Sequence, residues 1–397
     1  MGWIHPLALL RERSGESLSS TSVALEQPEF QPGTHIPALD AVRGLAIVMV
    51  TLYRFAGVEQ DLPGADHWLF QVFGQGDRGV DLFFVLSGFL ITGILFDSKG
   101  KPGYFRNFYM RRSLRIFPLY YGTLLLFLVA LPLLGGASYA WFPEAQAKQA
   151  WLWLYGANVL QGLAESWNLG YFNHFWSLAV EEHFYFVWPL VIFCCTRKQA
   201  LYACVATIGL TLAGRAAWIV ITGNSVAMDV WTPFRMDGLA LGGCLALAIR
   251  TPGGMQSLVP WARLTAALGA VAIAGLLMLP NGRLLGLPLT LYAAFFGALI
   301  ILAVNANKGS WLGRFWNSAV LRFFGKYSYA MYVFQNLLIP LLASYLTVAG
   351  LSASVGSPFW GRLAYIGLMF AATTAVALAS WQLYEKHFLK LKTYFGG

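Results

Sequence analysis

One apolar run of the sequence, HFWSLAVEEHFYFVWPL (residues 174–190), contains an unusual concentration of polar side chains. They are His174, Ser177, Glu181, Glu182 and His183. Carboxylates and imidazoles act as general acids and bases, and a carboxylate removed from water can do so near neutral pH. Ser177 and Glu181 are four residues apart and therefore share one face of a helix. A helix end at the outer membrane interface would also tolerate these charges, but we expect at least one of the adjacent carboxylates to point into a cavity.

A second stretch, LDAVRGLAIVMVTLYRF (residues 39–55), carries two arginines in an otherwise apolar segment. Arg43 and Arg54 are eleven residues apart, which is three helical turns, so they share a face at a separation of about 16 Å. Each could simply reach the lipid headgroups at its own end of the helix. Because both lie on one stripe, we predict instead that they face the same polar cavity.

The third stretch, YMRRSLRIFPLYY (residues 109–121), is basic and precedes an apolar run. Arg112 and Arg115 are three residues apart at a helix start, so their guanidinium groups can converge, and convergent arginines bind phosphates well. The same residues are also the strongest positive-inside signal of the chain, and that alternative stays open. If a phosphate-bearing cofactor binds here, we expect Arg111 and Tyr329 at the same site.

Three further charged residues lie within apolar segments. Asp81 needs a partner in lipid, and either an arginine of the first helix or Arg235 is the natural choice. Asp237 could instead neutralise Arg235. We expect Arg235 and Asp237 to contribute to a substrate site together with Trp176 and Ser177.

Composition defines the class of protein that must position these residues. Hydrophobic residues make up 57% of the chain and charged residues 11%, against roughly 25% charged in soluble domains. Long apolar runs recur along the whole sequence, which predicts a polytopic helical membrane protein. The basic residues that give the net charge of +9 lie between the apolar runs, so they indicate orientation in a membrane and not a nucleic-acid partner. The four cysteines have neither disulfide nor metal-ligand spacing, and no metal is predicted.

Apolar runs of about twenty residues predict an all-α fold with ten membrane-spanning helices. The predicted spans are 39–58, 78–97, 116–137, 174–195, 200–222, 231–249, 260–280, 284–305, 327–348 and 360–384. Lysine and arginine concentrate in alternate loops, which predicts that both termini are cytoplasmic. Residues 151–163 are too few to span and fall in the longest outer loop, so we expect them to be interfacial or re-entrant.

Three regions follow from this pattern: a flexible cytoplasmic tail (1–38), a transmembrane domain (39–392) and a short C-terminal tail (393–397).

Within the helices, Gly88, Gly238 and Gly242 are expected to permit close packing of neighbouring helices. For Ser87 we expect a hydroxyl bonded to its own helix backbone.

Several motifs, in order and at compatible spacing, resemble one known family. They are LDAVRGLAI, GVDLFFVLSGFLITGIL, RSLRIFPLYY, FWSLAVEEHFYFVWPL, FRMDGLALG, GKYSYAMYVF and LYEKHFLKLK. From Leu39 to Lys392 the chain resembles the membrane acyltransferase-3 family, which acylates sugars and other extracytoplasmic acceptors. The resemblance implies a bacterial inner-membrane protein that takes an acyl group, usually acetyl, from cytoplasmic acyl-CoA. It also implies that Arg112 and Arg115 hold the phosphates of coenzyme A and that Glu182 and its neighbours belong to the polar interior.

The chain departs from the family at one position of the first helix. The family signature there is an arginine, ten residues and then a histidine thought to be catalytic. Arg43 matches the arginine, whereas Arg54 occupies the histidine position, and Gln335 stands where relatives often carry a second histidine. A guanidinium group stays protonated, so Arg54 cannot be the general base, although it could stabilise an oxyanion or hold an anionic acceptor. The candidate bases by residue type are Glu182, Glu181, His174 and His183.

We therefore expect an integral-membrane O-acyltransferase that uses acyl-CoA and a hydroxyl of an extracytoplasmic glycan or similar acceptor. The alternative is a relative that kept the fold, lost the base and serves in binding or assembly. A transporter or flippase of a polar lipid-linked molecule would fit the buried charges but not the ordered motifs.

Overall fold

The computed structural model describes residues 35–56, 72–135, 142–223, 225–277, 287–307 and 309–395. Within these ranges the chain is helical and contains no strand. The long helices are α1 (Pro37–Ala56), α2 (Gly79–Ser98), α3 (Tyr104–Leu124), α4 (Phe175–Cys194), α5 (Arg197–Thr222), α6 (Thr232–Ala248), α7 (Gly254–Leu277), α8 (Leu287–Val304), α9 (Ala319–Phe334) and α10 (Pro358–Ser380). Shorter helices are Pro143–Ala147, Gln149–Trp153, Ala157–Leu163, Val226–Val230, Trp311–Trp316, Leu338–Leu342, Val348–Val355 and Lys386–Lys390.

Six helical stretches of the described chain are long and apolar enough to cross a membrane. They are Val72–Ser98, Tyr104–Gly135, Gly170–Cys194, Arg197–Thr222, Gly254–Leu276 and Pro358–Tyr394. Several carry large apolar side chains on their outer surface, such as Leu210 and Val271, which only lipid would cover favourably. The all-α membrane class is thus confirmed, while the count of ten crossings and the cytoplasmic placement of both termini stay predictions.

Two predicted spans differ clearly from the observed helices. Helix α3 begins at Tyr104 and not at residue 116, because Tyr104 and Phe108 are buried at helical spacing ahead of the apolar run. The span predicted for 327–348 is also wrong, since α9 ends at Phe334 and a separate helix follows after a turn. The polar residues Gln335 and Asn336 occupy that turn.

Glycines bring two pairs of helices into backbone contact. A Cβ on Gly44 of α1 would lie 1.8 Å from the carbonyl oxygen of Leu321 in α9. A Cβ on Gly88 of α2 would lie 1.8 Å from the carbonyl oxygen of Leu239 in α6. The predicted close packing at Gly88 is confirmed, because no side chain could fit between these helices.

Gly242 lies in the same contact, where a Cβ would come within 1.9 Å of the carbonyl oxygen of Val85. Close packing at this glycine is also confirmed. The expectation for Ser87 is wrong, since its hydroxyl bonds to the hydroxyl of Tyr185 in α4 and not to its own helix.

The segment expected at the interface forms the two short helices Gln149–Trp153 and Ala157–Leu163. They pack onto the bundle: Leu152 is buried, and its carbonyl oxygen accepts a hydrogen bond of 2.6 Å from the hydroxyl of Tyr120. Most of the predicted N-terminal tail (residues 1–34) and the last two residues of the predicted C-terminal tail lie outside the described residues. The domain boundaries stay predictions.

Candidate functional site

Two cavities of contrasting chemistry lie in the described part of the bundle. The larger, about 950 Å³, is called here the tryptophan cavity and is lined by four tryptophans, Trp167, Trp176, Trp218 and Trp231, with several charged residues. The smaller, about 120 Å³, is called the arginine pocket and is lined by Arg43, Arg112 and Arg115 with Glu181 and Glu182. Val80 and Tyr332 line both cavities and therefore form the wall between them.

Two of the three arginines of the arginine pocket, Arg112 and Arg115, form no ion pair with a described residue. Arg112 and Arg115 lie over the rings of Tyr185 and Trp381, at 5.8 and 6.0 Å. Arg43 is bonded to Asp40 at 3.1 Å. An arginine pair of this kind is suited to bind phosphate oxygens.

Two carboxylates of α4 line the same pocket. Neither Glu181 nor Glu182 forms an ion pair within the described ranges, and Oε1 of Glu182 is buried with no hydrogen-bond partner there. Ser177, one turn earlier, also lines the pocket, so the predicted shared face of Ser177 and Glu181 is confirmed. Burying a carboxylate oxygen without a hydrogen-bond partner is costly. Because no described group bonds to it, this oxygen is available to accept a proton from a reacting group.

Tyr332 is held in the wall by the start of α4. Its hydroxyl donates to the carbonyl oxygen of His174 at 3.0 Å and lies 2.5 Å from the hydroxyl of Ser177. The imidazole of His174 braces the end of α9: its Nε2 donates to the carbonyl oxygen of Val333 at 3.2 Å, and its Nδ1 accepts from Asn336 at 3.1 Å. Carbonyls in the last helical turn lack intrahelical partners, so the ring satisfies one of them.

This arrangement bears on the candidate bases. Both ring nitrogens of His174 are used in bonds that fix the wall, so His174 is a positioning residue in this geometry. His183 lies away from both cavities, with Nδ1 at 2.7 Å from the hydroxyl oxygen of Thr232. Among the described residues, Glu181 and Glu182 remain as candidates at the pocket.

Most charges of the tryptophan cavity are paired. Asp81 accepts from Arg235 at 2.5 Å and lies 3.6 Å from Arg78, and Asp77 lies 3.4 Å from Arg78. Of the two partners expected for Asp81, an arginine of the first helix or Arg235, the structure shows Arg235. The carboxylate of Glu165 accepts from the backbone N–H of Val226 at 2.7 Å.

The tryptophans give this cavity broad apolar faces. The guanidinium group of Arg235 lies 5.3 Å from the ring of Trp176, and the rings of Trp218 and Trp231 are 5.1 Å apart. Aromatic faces interrupted by a few polar groups suit a ligand that has both, such as a sugar ring. The sequence drew attention only to Trp176, because the other three come from separate segments that only the fold brings together.

Arg54 lines the tryptophan cavity, and Arg43 lines the arginine pocket. The prediction that the two arginines face one cavity is wrong, because the wall at Tyr332 lies between their cavities. The guanidinium group of Arg54 lies 5.3 Å from the ring of Tyr53, and its buried Nε has no hydrogen-bond partner among the residues described.

The remaining predicted site residues lie at different distances from the cavities. Tyr329 lines the arginine pocket and donates to the carbonyl oxygen of Ile116 at 2.8 Å. Arg111 is exposed on α3 and lines neither cavity. Asp237 also lines neither, and it accepts at 2.5 Å from the buried Arg215 instead of pairing with Arg235.

Gln335 is fully buried at the end of α9, and neither atom of its amide has a partner in the described chain. It lines neither cavity. Within the described ranges, no three histidine, cysteine or acidic side chains lie together in a way that could hold a metal ion.

Comparison with known proteins identifies the family of this chain. Residues 36–382 match the acyltransferase domain of the acyltransferase-3 family. The chain is 26% identical over 351 residues to O-acetyltransferase OatA of Staphylococcus aureus strain NCTC 8325, covering 78% of this chain and 52% of that protein. It is 27% identical over 351 residues to peptidoglycan O-acetyltransferase OatA of Listeria monocytogenes, covering 79% and 51%.

The chain spans about half the length of the curated relatives it matches. No solved structure matches it. Its apolar helices and these bacterial relatives agree in placing it in the bacterial plasma membrane as a multi-pass protein. With a family match that extends over most of its length, the chain belongs to the acyltransferase-3 family.

Proposed function

We propose that the protein is an O-acyltransferase that moves an acetyl group from cytoplasmic acyl-CoA to a hydroxyl of an extracytoplasmic glycan. The observation that carries this proposal is the pair of cavities on either side of Tyr332, one cationic and one rich in tryptophan. Family membership and the O-acetyltransferase relatives support the transfer of an acetyl group.

The donor binds at the arginine pocket. Arg43, Arg112 and Arg115 hold phosphate groups of coenzyme A, and Lys392 adds a further positive charge within electrostatic range of all three. The pocket is narrow, about 120 Å³ against about 950 Å³ for the tryptophan cavity. In this proposal the three arginines hold the phosphates at one end of it, and the acetyl thioester reaches the other end, at Glu182 and Tyr332.

The acceptor binds in the tryptophan cavity. Its volume of about 950 Å³ admits more than one sugar unit, and its aromatic faces can stack on them. A glycan of the cell envelope is the acceptor class that this chemistry fits best. Peptidoglycan is the substrate named for the Listeria relative.

Transfer takes place at the wall, and Tyr332 must move aside for the two substrates to meet. The acceptor oxygen attacks the thioester carbonyl, so an O–C bond forms and the C–S bond breaks. Glu182 accepts the proton of the acceptor hydroxyl and returns it to the departing sulfur, which leaves as the free thiol of coenzyme A.

The proposal is tested with the full chain in lipid nanodiscs and radiolabelled acetyl-CoA. We expect Arg112→Gln and Arg115→Gln each to weaken acetyl-CoA binding by about tenfold or more, since each removes charge-assisted hydrogen bonds. Arg263→Gln is the matched control, because Arg263 is exposed on α7 and lines neither cavity. Equal dissociation constants for all four proteins, or a folded wild type that transfers no acetyl group, would refute the proposal.

A second candidate is a relative that has lost catalysis and serves as a binding or assembly protein. One observation favours it: His174 already uses both ring nitrogens in hydrogen bonds that fix the wall. The resemblance adds to it, since it implies a histidine at the position of Arg54. The variant Arg54→His separates the two functions. A large gain in acetyl transfer to envelope glycans would indicate a lapsed enzyme, whereas loss of an existing activity would show that Arg54 has been recruited for it.

A further inference from the structure

We propose that the acceptor is an anionic glycan and that Arg54 binds its negatively charged group. The inference rests on the proposed function only in taking the tryptophan cavity as the acceptor site. It identifies Arg54 as a residue that determines acceptor specificity and not as a catalytic base.

The first argument is the balance of charge in the tryptophan cavity. Arg78 and Arg235 are already engaged, because Asp77 and Asp81 lie within ion-pair distance of them. Asp229 also lies in electrostatic range of Arg78. Four acidic side chains line the cavity with three arginines, and three of the four, Asp77, Asp81 and Asp229, lie near Arg78 or Arg235.

Arg54 is the third arginine and has no such neighbour. No carboxylate of the described chain forms an ion pair with it, and its buried Nε has no hydrogen-bond partner there. His174 and Tyr332 lie in its electrostatic range. An imidazole is neutral or positive and never negative, so His174 cannot offset the cation.

A half-buried guanidinium group without a counter-charge is costly and favours an anion that approaches through the cavity. The tryptophans indicate what carries that anion, since their faces suit sugar rings. Together they fit a sugar that bears a carboxylate or a phosphate group. Because Arg54 and Tyr332 line the same cavity and lie in electrostatic range of each other, an anion held at Arg54 would place a neighbouring hydroxyl near the wall where the acetyl group arrives.

The test measures binding alone, with the purified full chain in nanodiscs. The probes are trigalacturonate, its neutral methyl ester, maltotriose and maltotriose 6-phosphate, which separate carboxylate, phosphate and the sugar itself. We expect at least one anionic sugar to bind about tenfold or more tightly than its neutral counterpart. Arg54→Gln should abolish this preference and Arg54→Lys should keep part of it, while Arg263→Gln should match the wild type.

Equal affinity for charged and neutral sugars, an anion preference that survives in Arg54→Gln, or no saturable binding of either anionic sugar would overturn the inference. Failure here is distinguishable from failure of the proposed function. Acetyl transfer to a neutral glycan without anion preference would refute only the specificity. An anion preference that depends on Arg54 in a chain that transfers nothing would refute only the transferase.

Discussion

At the scale of single residues, Glu182 and Arg54 are polar groups for which the described chain supplies no partner. Oε1 of Glu182 is buried at the arginine pocket, and Nε of Arg54 is buried at the tryptophan cavity. Such atoms cost stability in the free protein, so ligands are the natural source of the missing partners. In the proposed reaction the acceptor would supply both, a hydroxyl group for Glu182 and an anionic group for Arg54.

The substitution Glu182→Gln keeps the shape of the side chain and removes its capacity to accept a proton. We expect kcat to fall about a hundredfold or more, with the dissociation constant of acetyl-CoA unchanged. The melting temperature should equal or exceed that of the wild type, because an unpaired buried carboxylate is removed. Glu144→Gln, an exposed position on the helix Pro143–Ala147, serves as the control. An unchanged kcat in Glu182→Gln would exclude Glu182 as the base.

Single-residue patterns in the sequence identified part of the site. Because a buried charge needs a partner, the partner of Asp81 was narrowed to an arginine of the first helix or Arg235, and the structure shows Arg235. The same reasoning assigned Asp237 to the substrate site because it overlooked Arg215, an arginine inside the apolar run of helix α5. Arg215 was itself a detectable signal, since an arginine in an apolar run also requires a partner.

At the scale of helices, backbone contact through glycine sets the position of α2, which carries Asp81, against α6, which carries Arg235. Any residue larger than glycine at this contact must push the helices apart. The ion pair between Asp81 and Arg235 would be stretched at the same time.

We expect Gly88→Ala to destabilise the protein by about 1–3 kcal/mol, since its added carbon would overlap a backbone carbonyl. The measurement is thermal unfolding in detergent, together with binding of the sugars at the tryptophan cavity. Gly209→Ala on α5 is the matched control, because a Cβ there meets open space and should be neutral or slightly stabilising. Identical unfolding curves for the two variants would contradict the packing described.

The apolar runs of the sequence predicted which helices exist, but they did not predict where those helices begin and end. The start of α3 was missed because the chain before residue 116 is amphipathic, so its buried residues do not form a continuous apolar run. The end of α9 was missed because Gln335 and Asn336 are only two polar residues in a long apolar run. Asn336 is one of the groups that hold His174, so this break shapes the wall between the cavities.

At the scale of the whole molecule, the proposed transfer requires a barrier that separates donor from acceptor until the reaction. Tyr332 of α9 forms much of this barrier. Arg43 and Arg54 lie on its two sides, although both belong to α1. The sequence could not reveal it, because two arginines on one stripe look the same whether they share a cavity or not. Only the packing of α9, more than 250 residues further along the chain, divides them.

Removing the barrier should let water reach the thioester. We expect Tyr332→Ala to raise the hydrolysis of acetyl-CoA in the absence of acceptor by about tenfold, because a closed site excludes water from the reactive group. Tyr332→Phe keeps the ring in the wall and should stay near the wild-type rate. Release of free coenzyme A thiol measures both variants. A rate in Tyr332→Ala no higher than in the wild type would mean that Tyr332 does not seal the pocket.

The most direct measurement of the central claim is acetyl transfer across a sealed bilayer. The full chain is reconstituted into vesicles with an oligosaccharide enclosed and radiolabelled acetyl-CoA added only outside. We predict that the label appears as a base-labile ester on the enclosed sugar, and that this ester is lost in the double variant Arg112→Gln/Arg115→Gln. An ester that forms only when donor and acceptor share one compartment would contradict the account.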